Sequence, residues 1–246
     1  MKKLSFDLSM GAAGDMLTAA LLELTPNPTA TLAELNALGI PNVEFQAEKQ
    51  GKQGVSGTHI RVTVHGEEEG AHGHHHHHHS SMADIAHLIG HLHASDTVKE
   101  NALAVYNRIA QAESRVHGEP VTEIHFHEVG AMDAVADVTA VCCLLEKLSP
   151  DEISATPVHT GYGKVNCAHG ILDIPAPATK LLLEGIPTEV GDIEGELCTP
   201  TGAALIGQFV SRFEPLPETG SAKQGIGLGK KDFARPNCLR AYLAED

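Results

Sequence analysis

Four side chains able to bind a metal lie close together in the segment Ile124-His125-Phe126-His127-Glu128-Val129-Gly130-Ala131-Met132-Asp133-Ala134-Val135-Ala136-Asp137. Residues i and i+2 of a strand point to one face, so His125 and His127 project together. Asp133 and Asp137 are four apart, on one face of the helix expected beyond the Gly130 turn. Two imidazoles and two carboxylates can therefore converge on a borderline divalent ion such as Ni, Zn, Fe or Mn, because ring nitrogens favour softer ions than Mg while carboxylates tolerate harder ones. The plainer reading is that the acids sit in a first helical turn, where the helix dipole favours them. Burying four such groups without a partner is expensive, which favours the metal site.

A second constellation is Asp7, at the end of an alternating stretch, followed by Gly11-Ala12-Ala13-Gly14-Asp15. Glycines let backbone approach a ligand closely, and a helix start offers free N–H groups to a phosphate or carboxylate. The loop lacks the Lys-Ser/Thr of a P-loop and the spacing of a dinucleotide fingerprint, and tight helix–strand packing explains it equally well. Asp7 and Asp15 could instead hold a cation carried by a phosphate. Thr199-Pro200-Thr201-Gly202 opens another helix, where Thr199, Thr201 and Gly202 make either a second anion site or a simple cap. Cys167 and His169 are two apart, with no third group to orient the imidazole for nucleophilic catalysis.

Histidine is abundant, with 17 residues, and His74 to His79 form an unbroken run. Purification tags are added at termini, whereas 73 residues precede this run, and His72, His87, His91 and His93 spread the enrichment around it. A flexible loop carrying His72, His74, His75, His76, His77, His78 and His79, preceded by Glu67, Glu68 and Glu69, offers many exchangeable ligands and no fixed geometry. That suits capture and delivery of a borderline metal.

The elements that must position these groups are readable in part. Residues 2–8 alternate as a strand, and a helix runs from Gly14 to about Leu24. A short helix follows over 30–38, and 43–64 reads as a hairpin. Residues 65–81 contain almost nothing to bury and are expected to form a disordered His-rich loop. Two amphipathic helices precede Gly118, Val121 to Glu128 alternates as a strand, and 131–148 is helical. The remainder is broken by Pro and Gly into short strands, with helices near 177–184 and 201–213. The pattern predicts an α/β or α+β fold, with a mixed sheet and flanking helices, as one unit over 1–246. A net charge of −15 with 4% aromatic residues excludes a nucleic-acid groove. An odd count of five cysteines, no visible signal peptide and no apolar run of membrane length predict a cytoplasmic chain without a membrane partner.

Several of these motifs occur together in a known family. Asp7-Leu-Ser-Met-Gly-Ala-Ala-Gly-Asp-Met16, a His-rich loop in the first third, His125-Phe-His-Glu-Val-Gly-Ala-Met-Asp133 with Asp137, Ile174-Pro-Ala-Pro-Ala-Thr179 and Thr199-Pro-Thr-Gly-Ala203 resemble, in order, the nickel-insertion proteins of lactate racemase maturation. The resemblance implies a nickel chelatase of the lyase class, which places Ni2+ in pyridinium-3,5-bisthiocarboxylic acid mononucleotide to form the nickel-pincer nucleotide. It also implies consumption of CTP with Mn2+ or Mg2+ assisting. Members of full length continue beyond the part resembling Gly225 to Arg240, so the chain resembles their N-terminal half; in some members the two halves are made as separate products, which implies that a separate C-terminal subunit could be its partner.

On this reading Asp7, Asp15, His125, His127 and Asp133 are the expected catalytic groups. Gly11, Gly14, Thr199, Thr201 and Gly202 hold the nucleotide. The His72–His79 loop collects nickel for an inner site of His125, His127, Asp133 and Asp137. Mixed N/O ligands suit release, because an all-thiolate site holds nickel too tightly to pass it on. A non-catalytic nickel storage or delivery protein and a metal-dependent hydrolase are the alternatives, and a homo-oligomer is compatible with each.

Overall fold

In a computed structural model, residues 1–68, 80–126, 129–167, 170–216, 220 and 222–245 are described. The chain forms β1 (Lys2–Asp7), α1 (Gly14–Leu24), α2 (Pro28–Asn36), β2 (Val43–Lys52), β3 (Val55–Val64) and β4 (Glu67–Glu68). Then come β5 (Ser80–Ser81), α3 (Met82–His91), α4 (Asp96–His117), a 3-10 turn (Val121–Glu123), β6 (His125–Phe126) and α5 (Met132–Leu148). The last third contributes β7 (Glu152–Ala155), β8 (Val158–His159), β9 (Lys164–Cys167), β10 (Gly170–Asp173) and α6 (Pro177–Leu182). It closes with β11 (Thr188–Glu189), α7 (Pro200–Phe209), β12 (Arg212–Phe213), β13 (Lys223–Leu228) and β14 (Cys238–Glu245).

Leu4, Ser5 and Phe6 are buried in succession, as expected of a strand covered on both faces. β1 accordingly lies inside an eight-stranded sheet of order β12-β7-β1-β14-β13-β3-β2, with β4 beside β3. β14 runs antiparallel to both β1 and β13, while β7 is parallel to β1 and β12 to β7. The sheet is therefore mixed and helices flank it, the α+β arrangement the sequence predicts. Helix α1 is apolar almost all round and buried from Met16 to Leu22, because it packs on β13, β3 and β14 and also touches α5. Helix α4 packs on α5, α6 and α7; Ser95 caps its start by accepting the Val98 N–H, and Gly118 ends it in the left-handed region at φ 71°.

Of the strand expected over 121–128, the described residues form only β6, and 127 and 128 lie outside them. Pro120 fixes φ and a 3-10 turn follows, so extended pairing is left to β6 alone, against β5. What secures this stretch is Tyr106 of α4. Its hydroxyl donates to the Val129 carbonyl at 3.0 Å and its ring meets Phe126 edge-on, with centroids 5.9 Å apart. Burial, and then the Asp133 and Asp137 carboxylates, push the phenol well above its ordinary pKa. Tyr106→Phe should cost about 1 kcal/mol, and so lower Tm by about 2–4 °C in thermal melts, because the Val129 carbonyl loses its donor.

The His-rich segment falls at residues 69–79, so the loop expected at 65–81, with His72 and His74 to His79, lies outside the described residues apart from its flanks. No described helix is long and apolar enough to cross a membrane.

Candidate functional site

Two loops far apart in sequence are stitched together at the heart of the site. The Ala12 N–H donates to the Leu197 carbonyl at 3.1 Å and the Thr199 N–H to the Ala12 carbonyl at 3.0 Å. The approach needs Gly202, since a Cβ there would overlap the Ala12 carbonyl and stand 2.9 Å from the Ala13 nitrogen. Gly14 serves α5 in the same way, for a Cβ would lie 2.5 Å from Asp137 Oδ2. The starts of α1, α5 and α7 thus meet around one cavity of about 550 Å3. Gly14, Asp15, Asp133, Asp137, Thr199 and Thr201 line it. His59 of β3, Lys230 and Lys231 beyond β13, and Cys167 of β9 add to the lining, and the volume is that of a small-molecule site.

Charge in this cavity is divided. Helices α1 and α5 begin at Ala13 and Ala131, whose side chains make no capping bond, and α7 begins at Thr199, which accepts the Gly202 N–H at 3.1 Å. The first-turn amides of three helices therefore turn partial positive charge towards the same space, and Lys230 and Lys231 add full charges. The acids supply the opposite sign. Asp15 has its carboxyl above the usual carboxylate range, chiefly because surrounding protein strips it of water; its bond from the Met16 N–H at 2.7 Å and the fields of His59 and Lys230 pull the other way.

That shift has a stability consequence. A raised folded-state pKa means that ionising Asp15 costs folding stability. The cost is absent below the unfolded value near 4 and grows as pH rises through the folded one. Asp15→Asn should therefore raise Tm at neutral pH, by about 2–4 °C for each kcal/mol relieved, and the gain should vanish on acidification in a pH series of melts.

The cavity unites Gly14, Asp15, Asp133, Asp137, Thr199 and Thr201 of the expected site. Gly202 lies just behind them, against Ala12, and Gly11 packs on the Leu197 backbone with φ 75°, the close-packing role of the glycine loop rather than a ligand contact. Asp7 does not line the cavity. It accepts the Ser9 N–H at 3.0 Å and pairs with Arg240 at 3.5 Å, across the β1–β14 register. His125 is exposed on β6 near Asp84, whose carboxyl is held below its ordinary range, first by Ser81 and more weakly by His125 and His87. His125 is not among the lining residues, so of the projected four-ligand cluster the described residues bring Asp133 and Asp137 to the cavity; His127 and His169 lie outside the described residues. Among the described residues no three His, Cys, Asp or Glu side chains form a metal site by themselves. His59, Lys230 and Lys231 were not anticipated. His59 lies among four consecutive buried residues, Gly57 to Ile60, a burial that the sequence does not show.

The family described as "Nickel insertion protein" matches residues 4–246. A "Putative nickel insertion protein" of Dictyoglomus thermophilum is 38% identical over 245 residues, covering all of this chain and 61% of the relative. The "Pyridinium-3,5-bisthiocarboxylic acid mononucleotide nickel insertion protein" of Clostridium kluyveri is 40% identical over 251 residues, covering 62% of its length. Its namesake in Desulfitobacterium hafniense is 39% identical over 245 residues, covering 59%. The chain thus spans about three-fifths of the length of these relatives. No solved structure matches it significantly. With a match that runs through every element lining the cavity, the chain belongs to the nickel insertion protein family.

Proposed function

We propose that this chain inserts nickel into pyridinium-3,5-bisthiocarboxylic acid mononucleotide, the substrate in the names of its C. kluyveri and D. hafniense relatives. The observation that carries this reading is the meeting of three helix starts and two lysines with Asp133 and Asp137 in one cavity. A mononucleotide brings a phosphate, which the amides and Lys230 and Lys231 can hold without any basic surface elsewhere on a chain of net charge −15. Nickel needs oxygen or nitrogen ligands that let it go, and a pair of carboxylates one helical turn apart supplies two. The precursor's own sulfurs can complete the set, so the metal passes to the softer donors as they arrive.

The first-turn position of Asp15 fits a hard cation such as Mg2+ or Mn2+ beside a phosphate, where the ion would neutralise phosphate charge. Asp7, tied to Arg240, does not fit that role. A 550 Å3 cavity is of a size for one nucleotide. The His72–His79 run, in this proposal, raises the local supply of Ni2+ rather than taking part in insertion.

Mixing the purified chain with Ni2+ and the precursor, with and without CTP and Mn2+, tests the reading by mass spectrometry of the nucleotide. A nickel-bearing nucleotide is the expected product, and deleting His72 to His79 should leave its rate unchanged at saturating Ni2+. Nickel uptake with no altered nucleotide under any condition contradicts the reading in favour of storage; phosphoester cleavage dependent on Asp133 contradicts it in favour of a hydrolase.

A further inference from the structure

We propose that His59 is the base that takes the proton displaced from the precursor ring when nickel enters, a role that rests on the insertion reading above. The substrate's chemistry requires such a base. Thiocarboxyl arms at ring positions 3 and 5 converge on the carbon between them, so a metal held by both sulfurs lies against that carbon and its hydrogen stands in the way. Insertion breaks this C–H bond. The electron pair forms the Ni–C bond, the two ionised thiocarboxylates form the Ni–S bonds, nickel stays divalent, and one proton must go to the protein.

Among the lining side chains, His59 is the one prepared to receive it. It is 7% exposed and borders the cavity. Its Nδ1 meets the Leu228 carbonyl oxygen at 3.1 Å, and a carbonyl only accepts, so Nδ1 carries a hydrogen and Nε2 is the nitrogen left to take up a proton. The other lining groups that could take a proton already meet a partner, Glu196 pairing with Lys231 at 3.7 Å. His117 pairs with Glu113 at 3.2 Å, and the Cys167 thiol donates to the Gly170 carbonyl at 3.3 Å. Asp133 and Asp137 are taken by the metal. Asp15 remains, whose carboxyl is by its ordinary value a weaker base than an imidazole.

The test is single-turnover insertion with precursor carrying hydrogen or deuterium on that ring carbon, comparing the unaltered chain with His59→Gln, whose amide can still donate to Leu228. The variant should insert nickel about 100-fold more slowly or worse, bind Ni2+ and precursor as before, and show a larger deuterium effect because proton removal now limits the rate. His59→Asn should behave alike, and serves if the Gln variant does not fold. Insertion at the unaltered rate, or a loss accounted for by weaker Ni2+ or precursor binding, overturns the role of His59 and leaves the insertion reading standing. No insertion by the unaltered chain overturns both.

Discussion

Replacing Asp133 and Asp137 together by Asn is expected to leave the fold intact while lowering the nickel affinity of the cavity by about 100-fold or more, with insertion falling at least as far. Partners that merely orient a metal's ligands are worth about 10–100-fold in affinity, so two carboxylates that touch the metal should be worth more. The fold should survive because the two effects on α5 oppose each other. Asp133 gains from the helix start, about 0.3–1 kcal/mol, whereas like charges four residues apart on one helix repel by a few tenths. Nickel titration in a background lacking His72 to His79 isolates the cavity from the histidine run, and melting curves check the fold. Unchanged affinity in that background removes the two acids from the nickel path.

The second large effect is expected at Gly202. Its hydrogen faces backbone, the Ala12 carbonyl and the Ala13 nitrogen, and no side chain is there to swing aside. Gly202→Ala must push the start of α7 off the loop before α1, at a cost of about 3 kcal/mol, or about 6–12 °C in Tm. Because those two segments hold the cavity together, precursor binding should weaken with stability. Gly207 is the matched control, in the same helix, where an added methyl would meet no atom closer than 3.5 Å. There the same change should stabilise by about 0.5–1 kcal/mol, since alanine suits a helix interior better than glycine. Equal effects at the two positions would refute the account of how α1 and α7 are joined.

What could be read in advance followed from local chemistry. Helices α1, α4 and α5 announce themselves by apolar spacing and by glycine or proline at their ends, and the β2–β3 hairpin by alternation around Gln53-Gly54. The place of β14 between β1 and β13 did not, because its register joins Lys2 to Glu245 and Lys223 to Leu243 over distances at which local pattern says nothing. β13 was hidden further by Gly225 and Gly227, poor strand formers that let α1 lie close. The site divides in the same way. Asp15, Asp133, Thr199 and Thr201 stood out because they open helices. His59 and the lysines reach the cavity only through the sheet order, and Asp7 was overvalued because sequence does not show that Arg240 lies opposite it.

Anomalous diffraction at the nickel edge, from crystals of the chain grown with Ni2+ and the precursor, tests the central claim most directly. The account predicts one nickel peak within bonding distance of Asp133 and Asp137, with the nucleotide phosphate at the starts of α1 and α7 near Lys230. A nickel-bearing nucleotide bound away from this cavity, or nickel in the cavity with the phosphate turned from those helix ends, would contradict it.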